Sequence, residues 1–120
     1  MLKDKGDSNY QANTNKLKAI LNKGFGTLKE ILDEYHLRPY YLKIKKLILS
    51  GSDVNIQDKD GYTVLILAAR DGFRDIIELL IATGAGVNIK NDTNRNALML
   101  AASNGHKDIV KLLIASGAIE

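Results

Sequence analysis

The sequence predicts an all-α repeat solenoid, and its internal self-similarity is the main reason. Residues 58–90 and 91–120 are two copies of one unit, with matching residues at a constant interval. An earlier partial copy keeps this interval, because Gly51, Gly84 and Gly117 are evenly spaced. We call the interval from Gly51 to Gly84 the repeat period. Repeats of this length stack in a row, and each buries its apolar face only against its neighbours.

The N-terminal half is predicted to hold helices of a different pattern. An Asn-Thr pair can cap a helix over residues 13–23, and a Thr with a Glu three residues later forms a capping box for a helix over residues 27–36. Proline suits the first turn of a helix, so Pro39 opens a third helix that runs to Ser50. Residues 1–12 are polar and lack periodicity, and we expect them to form a mobile tail.

Each later unit is predicted to contain two helices, because apolar residues recur there with helical spacing. The first helices cover Val64–Asp71 and Ala97–Asn104, and the second helices cover Arg74–Thr83 and Lys107–Ser116. A glycine separates the two helices of each unit. The polar stretch that precedes each pair, such as the one around Gly61, indicates a turn or hairpin.

The stretches DKDGYTVLILAARDGFRDIIELLIATGAGVNI and NDTNRNALMLAASNGHKDIVKLLIASGA resemble ankyrin repeats, and LILSGSDVNI resembles the tail of a preceding repeat. The resemblance implies that each unit has a β-hairpin and two antiparallel helices, stacked into a curved solenoid. It divides a single domain over residues 13–120 into a divergent capping repeat at 13–57, a repeat at 58–90 and a terminal repeat at 91–120.

Three features depart from the family pattern, and the first is that the match fades upstream of Leu47. The family signature Thr-Pro-Leu-His reads Thr-Val-Leu-Ile from Thr63 and Asn-Ala-Leu-Met from Asn96, so the hydrogen bonds that the Pro-His form usually makes cannot form in full. The turn glycine is kept as Gly61 but is replaced by Asn94 in the second copy. Asparagine tolerates the left-handed conformation at some energetic cost.

Nothing in the sequence predicts catalysis, a metal site or a cofactor. The absence of cysteine excludes disulfides, thiolate nucleophiles and cysteine-based zinc sites. The two histidines, His36 and His106, are far apart and have no carboxylates at metal-ligand spacing. His106 lies at the turn between two helices, where the resemblance implies a structural role. We therefore expect a non-enzymatic protein.

The net charge of +3 is unevenly distributed. Residues 1–50 carry ten basic and five acidic side chains, whereas residues 51–120 carry seven and nine. The alternative function is therefore a basic adaptor whose N-terminal half contacts nucleic acid or an acidic surface through Lys43, Lys45 and Lys46. We favour a solvated outer face for these lysines, because no basic motif of known mechanism accompanies them.

The sequence predicts a cytoplasmic protein without a membrane segment. Its N-terminus lacks an apolar core of signal-peptide length, and no apolar stretch is long enough to span a bilayer. Export by a route that needs no signal peptide stays compatible with these observations.

The resemblance implies that another protein binds the concave side, which is formed by the hairpin tips and the exposed side of the first helices. Tyr62, Arg70 and Arg95 are the predicted anchors, because Tyr and Arg often dominate the binding energy of interfaces. We expect them to be exposed, so that replacing them by alanine leaves the stability nearly unchanged. The candidate partner-binding residues are Gln57, Lys59, Asp60, Tyr62, Arg70, Asp71, Lys90, Asp92, Thr93, Arg95, Ser103 and Asn104.

The terminal repeat keeps the apolar pattern of the internal one. A terminal unit needs a polar outer face, since the side that would pack against a further repeat otherwise meets water. We therefore expect exposed apolar side chains at this end, with Leu113 and Ile114 as the candidates. Weak self-association through this end, or docking of a partner there, is the expected consequence.

Overall fold

The computed structural model describes residues 8–22 and 38–119, with side chains at 10–19 and 44–119. Within these residues the backbone forms helices and turns, and no strand is present. The helices are α1 (Ser8–Asn22), α2 (Arg38–Leu49), α3 (Val64–Asp71), α4 (Arg74–Ala82), α5 (Ala97–Ser103) and α6 (Lys107–Ala115).

The helices of the two later units confirm the predicted pattern. α3 has the predicted bounds, and α4, α5 and α6 each end one residue earlier than predicted. The three residues concerned, Thr83, Asn104 and Ser116, act as C-caps whose backbone N–H groups donate to carbonyls of the last turn. The all-α repeat architecture is therefore the one predicted.

The β-hairpin implied by the resemblance is reduced to a tight turn in the described residues. The backbone N–H of Asp58 donates to the carbonyl of Tyr62, and that of Asn91 donates to the carbonyl of Arg95, both at 2.9 Å. The side-chain oxygens of Asp58 and Asn91 accept further backbone N–H groups of the same turns. These side chains satisfy donors that a longer ladder would otherwise pair, so no strand follows.

The first helix begins earlier than predicted. α1 starts at Ser8, inside the expected mobile tail, and Thr14 lies within it and is not an N-cap. Tyr10, Thr14 and Leu17 share one face, on which Thr14 is 8% exposed and Leu17 is fully buried. The hydroxyl of Thr14 accepts from the backbone N–H of Asp53 over 2.9 Å. The apolar spacing missed this face because polar residues form part of it.

α2 runs from Arg38 to Leu49, one residue before the predicted bounds at each end. The helix predicted over residues 27–36 lies outside the described residues. α1 packs against α2, α2 against α4, and the first helices α3 and α5 pack side by side. α3 is the centre of the core, because its residues 64–69 are all buried.

Hydrogen bonds between units recur with the period of the sequence. The side-chain oxygen of Asn55 accepts from the backbone N–H of Gly86 over 2.7 Å. The side-chain oxygen of Asn88 accepts from the backbone N–H of Ile119 over 2.9 Å. Each asparagine ties the loop of its own unit to the loop of the next, so the units are joined by polar bonds as well as by apolar packing.

The C-terminal end exposes part of its apolar surface. Ile114 is 57% exposed and Ile119 is 67% exposed, whereas Leu113 is fully buried. Of the two residues expected to face outward, only Ile114 does so. Leu113 belongs to the hydrophobic core, and α6 packs against α5 of its own unit.

Candidate functional site

Two of the predicted anchors, Tyr62 and Arg70, form a cluster with Asp71 at the end of α3. The Arg70 guanidinium donates to both carboxylate oxygens of Asp71, from Nε at 2.9 Å and from Nη2 at 3.1 Å. Its central carbon lies 5.9 Å from the centre of the Tyr62 ring, within the range of a cation–π interaction. The three side chains therefore hold one another in place.

Arg95 and Ser103 form a second pair at the equivalent positions, one repeat period after Tyr62 and Arg70. Arg95 Nη2 donates to Ser103 Oγ over 2.8 Å. Because α3 and α5 are packed side by side, the two pairs occupy equivalent places on neighbouring units. We name Tyr62, Arg70, Asp71, Arg95 and Ser103 the arginine cluster.

The two arginines of the cluster differ in how their charge is compensated. The hydrogen bond to Asp71 raises the pKa of Arg70, against the opposing effect of burial, and the attraction of the carboxylate adds to the rise. The carboxylate of Asp71 compensates the charge of Arg70, and its side chain is only 9% exposed. Among the described residues, Arg95 has only the uncharged Ser103 hydroxyl as a side-chain partner. Its charge therefore remains available to an incoming carboxylate.

Tyr62 differs from the expectation of an exposed anchor. It is partly buried and packs against the hydrophobic core, and the Arg70 side chain is 30% exposed. The expectation that Tyr62 is exposed is therefore wrong, and because truncating it would remove core contacts, we expect its alanine variant to lower stability. Arg95 is exposed and is the anchor that fits the expectation.

The other predicted residues are divided between structural hydrogen bonds and solvent. Gln57 Nε2 donates to the carbonyls of Gly61 at 2.8 Å and Lys90 at 3.1 Å, and so joins two neighbouring turns. The amide of Asn104 donates to the carbonyl of Leu100 at the end of α5. Five of the predicted residues have exposed side chains at the turn tips, namely Lys59, Asp60, Lys90, Asp92 and Thr93.

His106 has the structural role that was predicted, and it acts between units. Its Nε2 lies 2.9 Å from the carbonyl of Arg70, so this nitrogen is the donor. The ring lies against Gly72, where an added Cβ would come within 2.8 Å of the ring carbon Cε1. The contact fixes the end of α3 that carries Arg70. A ring residue follows the inter-helix glycine in both units, as Phe73 and as His106, and this repetition is the sequence signal for the contact.

The lysines of the alternative function do not form one free patch in the described part of the chain. Lys45 Nζ lies 3.9 Å from the carboxylate of Asp75 and so links α2 to α4. Lys46 is exposed, and the side chain of Lys43 lies outside the described side chains.

Metal and membrane sites have no support within residues 8–22 and 38–119. In this part of the chain no three His, Asp or Glu side chains are grouped so that they could hold a metal ion. None of the helices described there is long and apolar enough to cross a bilayer. His36 lies outside these residues.

Comparison with known proteins identifies the architecture. The family described as ankyrin repeats (3 copies) matches residues 38–119. The chain belongs to the ankyrin-repeat family. Among the 254 matching chains of solved structures, one belongs to a structure of the Bd0816 predatory endopeptidase from Bdellovibrio bacteriovorus in complex with immunity protein Bd3460. The matching chain of that structure has 34% identity and a TM-score of 0.62. The match covers 65% of this chain and 41% of that chain. No curated protein matches significantly.

These ankyrin repeats keep their helix caps although the family signature is incomplete. The Thr63 hydroxyl accepts from the backbone N–H of Ile66 at 3.1 Å, and the Asn96 side chain accepts from that of Met99 at 2.9 Å. Both caps are 1% exposed. Asn94 has a φ of +65°, which confirms that it adopts the left-handed conformation in place of glycine.

Proposed function

We propose that this chain is a non-enzymatic module that binds another protein through the arginine cluster and the turn tips beside it. The ankyrin-repeat family supports an interaction role, and a similar chain occurs in a complex of an endopeptidase with an immunity protein. Both observations concern the fold and its relatives. The choice of surface rests on the side chains of this chain.

Arg95 carries the choice of surface. Its exposed guanidinium is oriented by Ser103 and has no carboxylate partner among the described residues. An oriented arginine loses less conformational entropy on binding than a free one, and it can bind a carboxylate through two hydrogen bonds. The exposed turn tips add mixed charges beside it, as expected for the polar rim of an interface.

The test is the affinity of a captured partner for matched variants. Partners are captured with the wild-type chain from an extract of the source cell and identified, and the dissociation constant is then measured by calorimetry with purified proteins. Arg95→Ala should weaken binding by about 1–2 kcal/mol, as expected for an interface anchor. The melting temperature should stay nearly unchanged, because Arg95 is exposed.

Two control variants separate binding from folding. Lys46→Ala removes an exposed cation on α2 and should leave the affinity unchanged. Tyr62→Phe keeps the aromatic packing and should preserve stability, so any loss of affinity reports the hydroxyl alone. Full affinity in an Arg70→Ala/Arg95→Ala double variant would show that the partner binds elsewhere.

A further inference from the structure

The two arginines of the arginine cluster use their N–H donors differently. Arg70 donates from Nε and Nη2 to the two carboxylate oxygens of Asp71, at 2.9 Å and 3.1 Å. The guanidinium of Arg95 donates from Nη2 alone, to Ser103 Oγ over 2.8 Å, among the described residues. One arginine is therefore engaged by a carboxylate of its own unit, whereas the other keeps further N–H donors free.

The pair of Arg70 and Asp71 has the geometry of a bound acidic ligand. Two parallel N–H groups on two carboxylate oxygens form the arrangement in which arginine binds acidic groups most specifically. The Asp71 side chain is held there while the Arg70 side chain stays 30% exposed. Asp71 thus fills one edge of the Arg70 guanidinium, and its charge opposes the approach of a second carboxylate.

The terminal unit lacks this internal carboxylate. Asn104 takes the place of Asp71 one repeat period later. Its amide donates to the carbonyl of Leu100 over 2.8 Å, and so it caps the end of α5. Arg95 therefore has no acidic side chain of its own unit as a partner in the described part of the chain.

This surface stays open where a neighbouring unit is present. The internal unit has the terminal repeat beside it, since α3 packs against α5, and yet Tyr62 and Arg70 keep part of their side chains exposed. Arg95 and Ser103 are the equivalents of these two residues one repeat period later. The accessibility of the surface is therefore a property of these positions in a stacked unit, whatever lies beyond the terminal repeat.

The charges around Arg95 suit a carboxylate better than a phosphate. Arg95 is a single cation, and the exposed Asp92 belongs to the same turn, which is closed by a bond from the Asn91 backbone N–H to the Arg95 carbonyl. A phosphate group carries more negative charge than a carboxylate and is usually bound by several arginines. One arginine with an acidic neighbour matches one carboxylate.

We propose, on the basis of the proposed function, that the arginine cluster recognises an acidic segment of the partner that places one carboxylate on Arg95 and an uncharged residue opposite Arg70. Arg95 binds the carboxylate through two parallel N–H groups, and Ser103 is the positioning residue that holds the guanidinium. Asp71 determines the specificity, because its charge excludes a second carboxylate from Arg70.

The test is an NMR titration of the full chain with isotope-labelled arginine, in which the guanidinium signals of Arg70 and Arg95 are followed separately. The probes are blocked peptides, namely hexaserine with one central glutamate, hexaglutamate, and hexaserine as the control. We expect the single-glutamate peptide to shift the Arg95 signal saturably and to leave the Arg70 signal unchanged. Hexaserine should shift neither signal.

The variant Asp71→Asn tests the specificity. Asparagine occurs naturally at the equivalent Asn104, and the melting temperature shows whether the fold is kept. The preference for hexaglutamate over the single-glutamate peptide should rise about tenfold relative to wild type, because a second carboxylate can then bind Arg70. An unchanged preference in the folded variant would overturn the role of Asp71.

Variants of Arg95 and Ser103 separate an oriented guanidinium from a general positive charge. Arg95→Lys keeps the charge but loses the parallel donors, and it should weaken the single-glutamate peptide about tenfold. Ser103→Ala should weaken it about threefold because the guanidinium is no longer held, and Ser103→Thr should restore binding. Lys46→Gln, which removes an exposed cation on α2, should have no effect. Equal binding by wild type and Arg95→Lys would overturn the proposal.

Two further results would overturn the proposal and leave the proposed function standing, provided that Arg95→Ala still weakens a captured partner. One is the absence of a saturable Arg95 shift with either acidic peptide. The other is saturation of that shift by inorganic phosphate at a lower concentration than by the single-glutamate peptide. Full affinity of the captured partner for the Arg70→Ala/Arg95→Ala double variant would overturn both proposals, so the two failures are distinguishable.

Discussion

The internal repeat at 58–90 and the terminal repeat at 91–119 share one sequence plan and yet differ in what covers them. Ala69 is fully buried, whereas Ala102 at the equivalent position is exposed. Gly72 lies under a histidine ring, whereas Gly105 has open space above it. The difference teaches that the environment of a position is set by the neighbouring unit, because the two units share their pattern of apolar and small residues and the positions of their helices.

The largest expected difference in stability is between the alanine variants of two neighbouring residues of α6. Leu113→Ala should reduce the free energy of unfolding by about 2–5 kcal/mol, because it empties a fully buried site. Ile114→Ala should change it by no more than about 0.5 kcal/mol, because Ile114 faces water. Urea denaturation followed by circular dichroism measures both.

Ile81 provides the internal control for this pair, since it precedes Ile114 by one period and packs against the core. Ile81→Ala should therefore destabilise more than Ile114→Ala. Equal losses at the two positions would mean that the end of the solenoid is already covered.

The next effect should be shared by the two repeats. Thr63→Ala removes a buried N-cap and should cost about 1 kcal/mol of unfolding free energy. Asn96→Ala removes the equivalent cap and also a 2.6 Å hydrogen bond from Asn96 Nδ2 to the carbonyl of Ile119, so its cost should be at least as large. A harmless Asn96→Ala in the same urea assay would show that the terminal repeat is frayed at its first helix.

The apolar pattern and the glycine after it were enough to predict the observed bounds of α3, and the resemblance to ankyrin repeats was enough to predict the left-handed Asn94. Both features depend on residues that are close in the sequence, so a sequence pattern can predict them. Thr14 and Tyr62 show where prediction from sequence stops, and so does the partner of His106, whose structural role was predicted without it. Thr14 accepts a hydrogen bond from a residue 39 positions away, and His106 bonds to a carbonyl 36 positions away.

For the candidate site, the sequence predicted which residues belong to it but not how their side chains pair. The resemblance placed Arg70 and Arg95 among the candidate binding residues of two consecutive units, but it could not show that Asp71 pairs with Arg70 and that Arg95 has a hydroxyl partner. That difference depends on side-chain orientation, and repeat spacing carries no information about orientation.

A smaller effect compares the turn residues. Asn94→Gly should stabilise the fold by roughly 0.5 kcal/mol, because glycine adopts a positive φ without steric penalty. The reverse change, Gly61→Asn, should destabilise by more than this, since a Cβ there would lie 2.7 Å from Asp92 Oδ1 and 2.8 Å from the Asp92 backbone nitrogen. Thermal unfolding of the two variants measures the asymmetry. If the two variants shift the melting temperature by equal and opposite amounts, the turn that contains Asp92 moves to accommodate the new Cβ.

The smallest effect on stability should come from the ion pair between Arg74 and Asp108, which joins the two units. Because Arg74 lowers the folded-state pKa of Asp108, the pair stabilises the fold above the ordinary pKa of the carboxyl, about 3.9. This contribution should be lost as the pH falls through the lower folded value. Asp108→Asn should therefore lower stability slightly at pH 7 and reduce its fall in acid. An identical pH profile for wild type and variant would show that the exposed pair contributes nothing.

The contrast between a covered and an open glycine tests the central claim most directly, namely that the neighbouring unit decides the environment. Gly72→Ala and Gly105→Ala should each cost roughly 1 kcal/mol for a positive φ, and Gly72→Ala should cost about 1–3 kcal/mol more for its clash with His106. In a His106→Ala background we predict that the two losses of unfolding free energy become nearly equal. An unchanged difference in that background, or equal losses in the wild type, would contradict the claim.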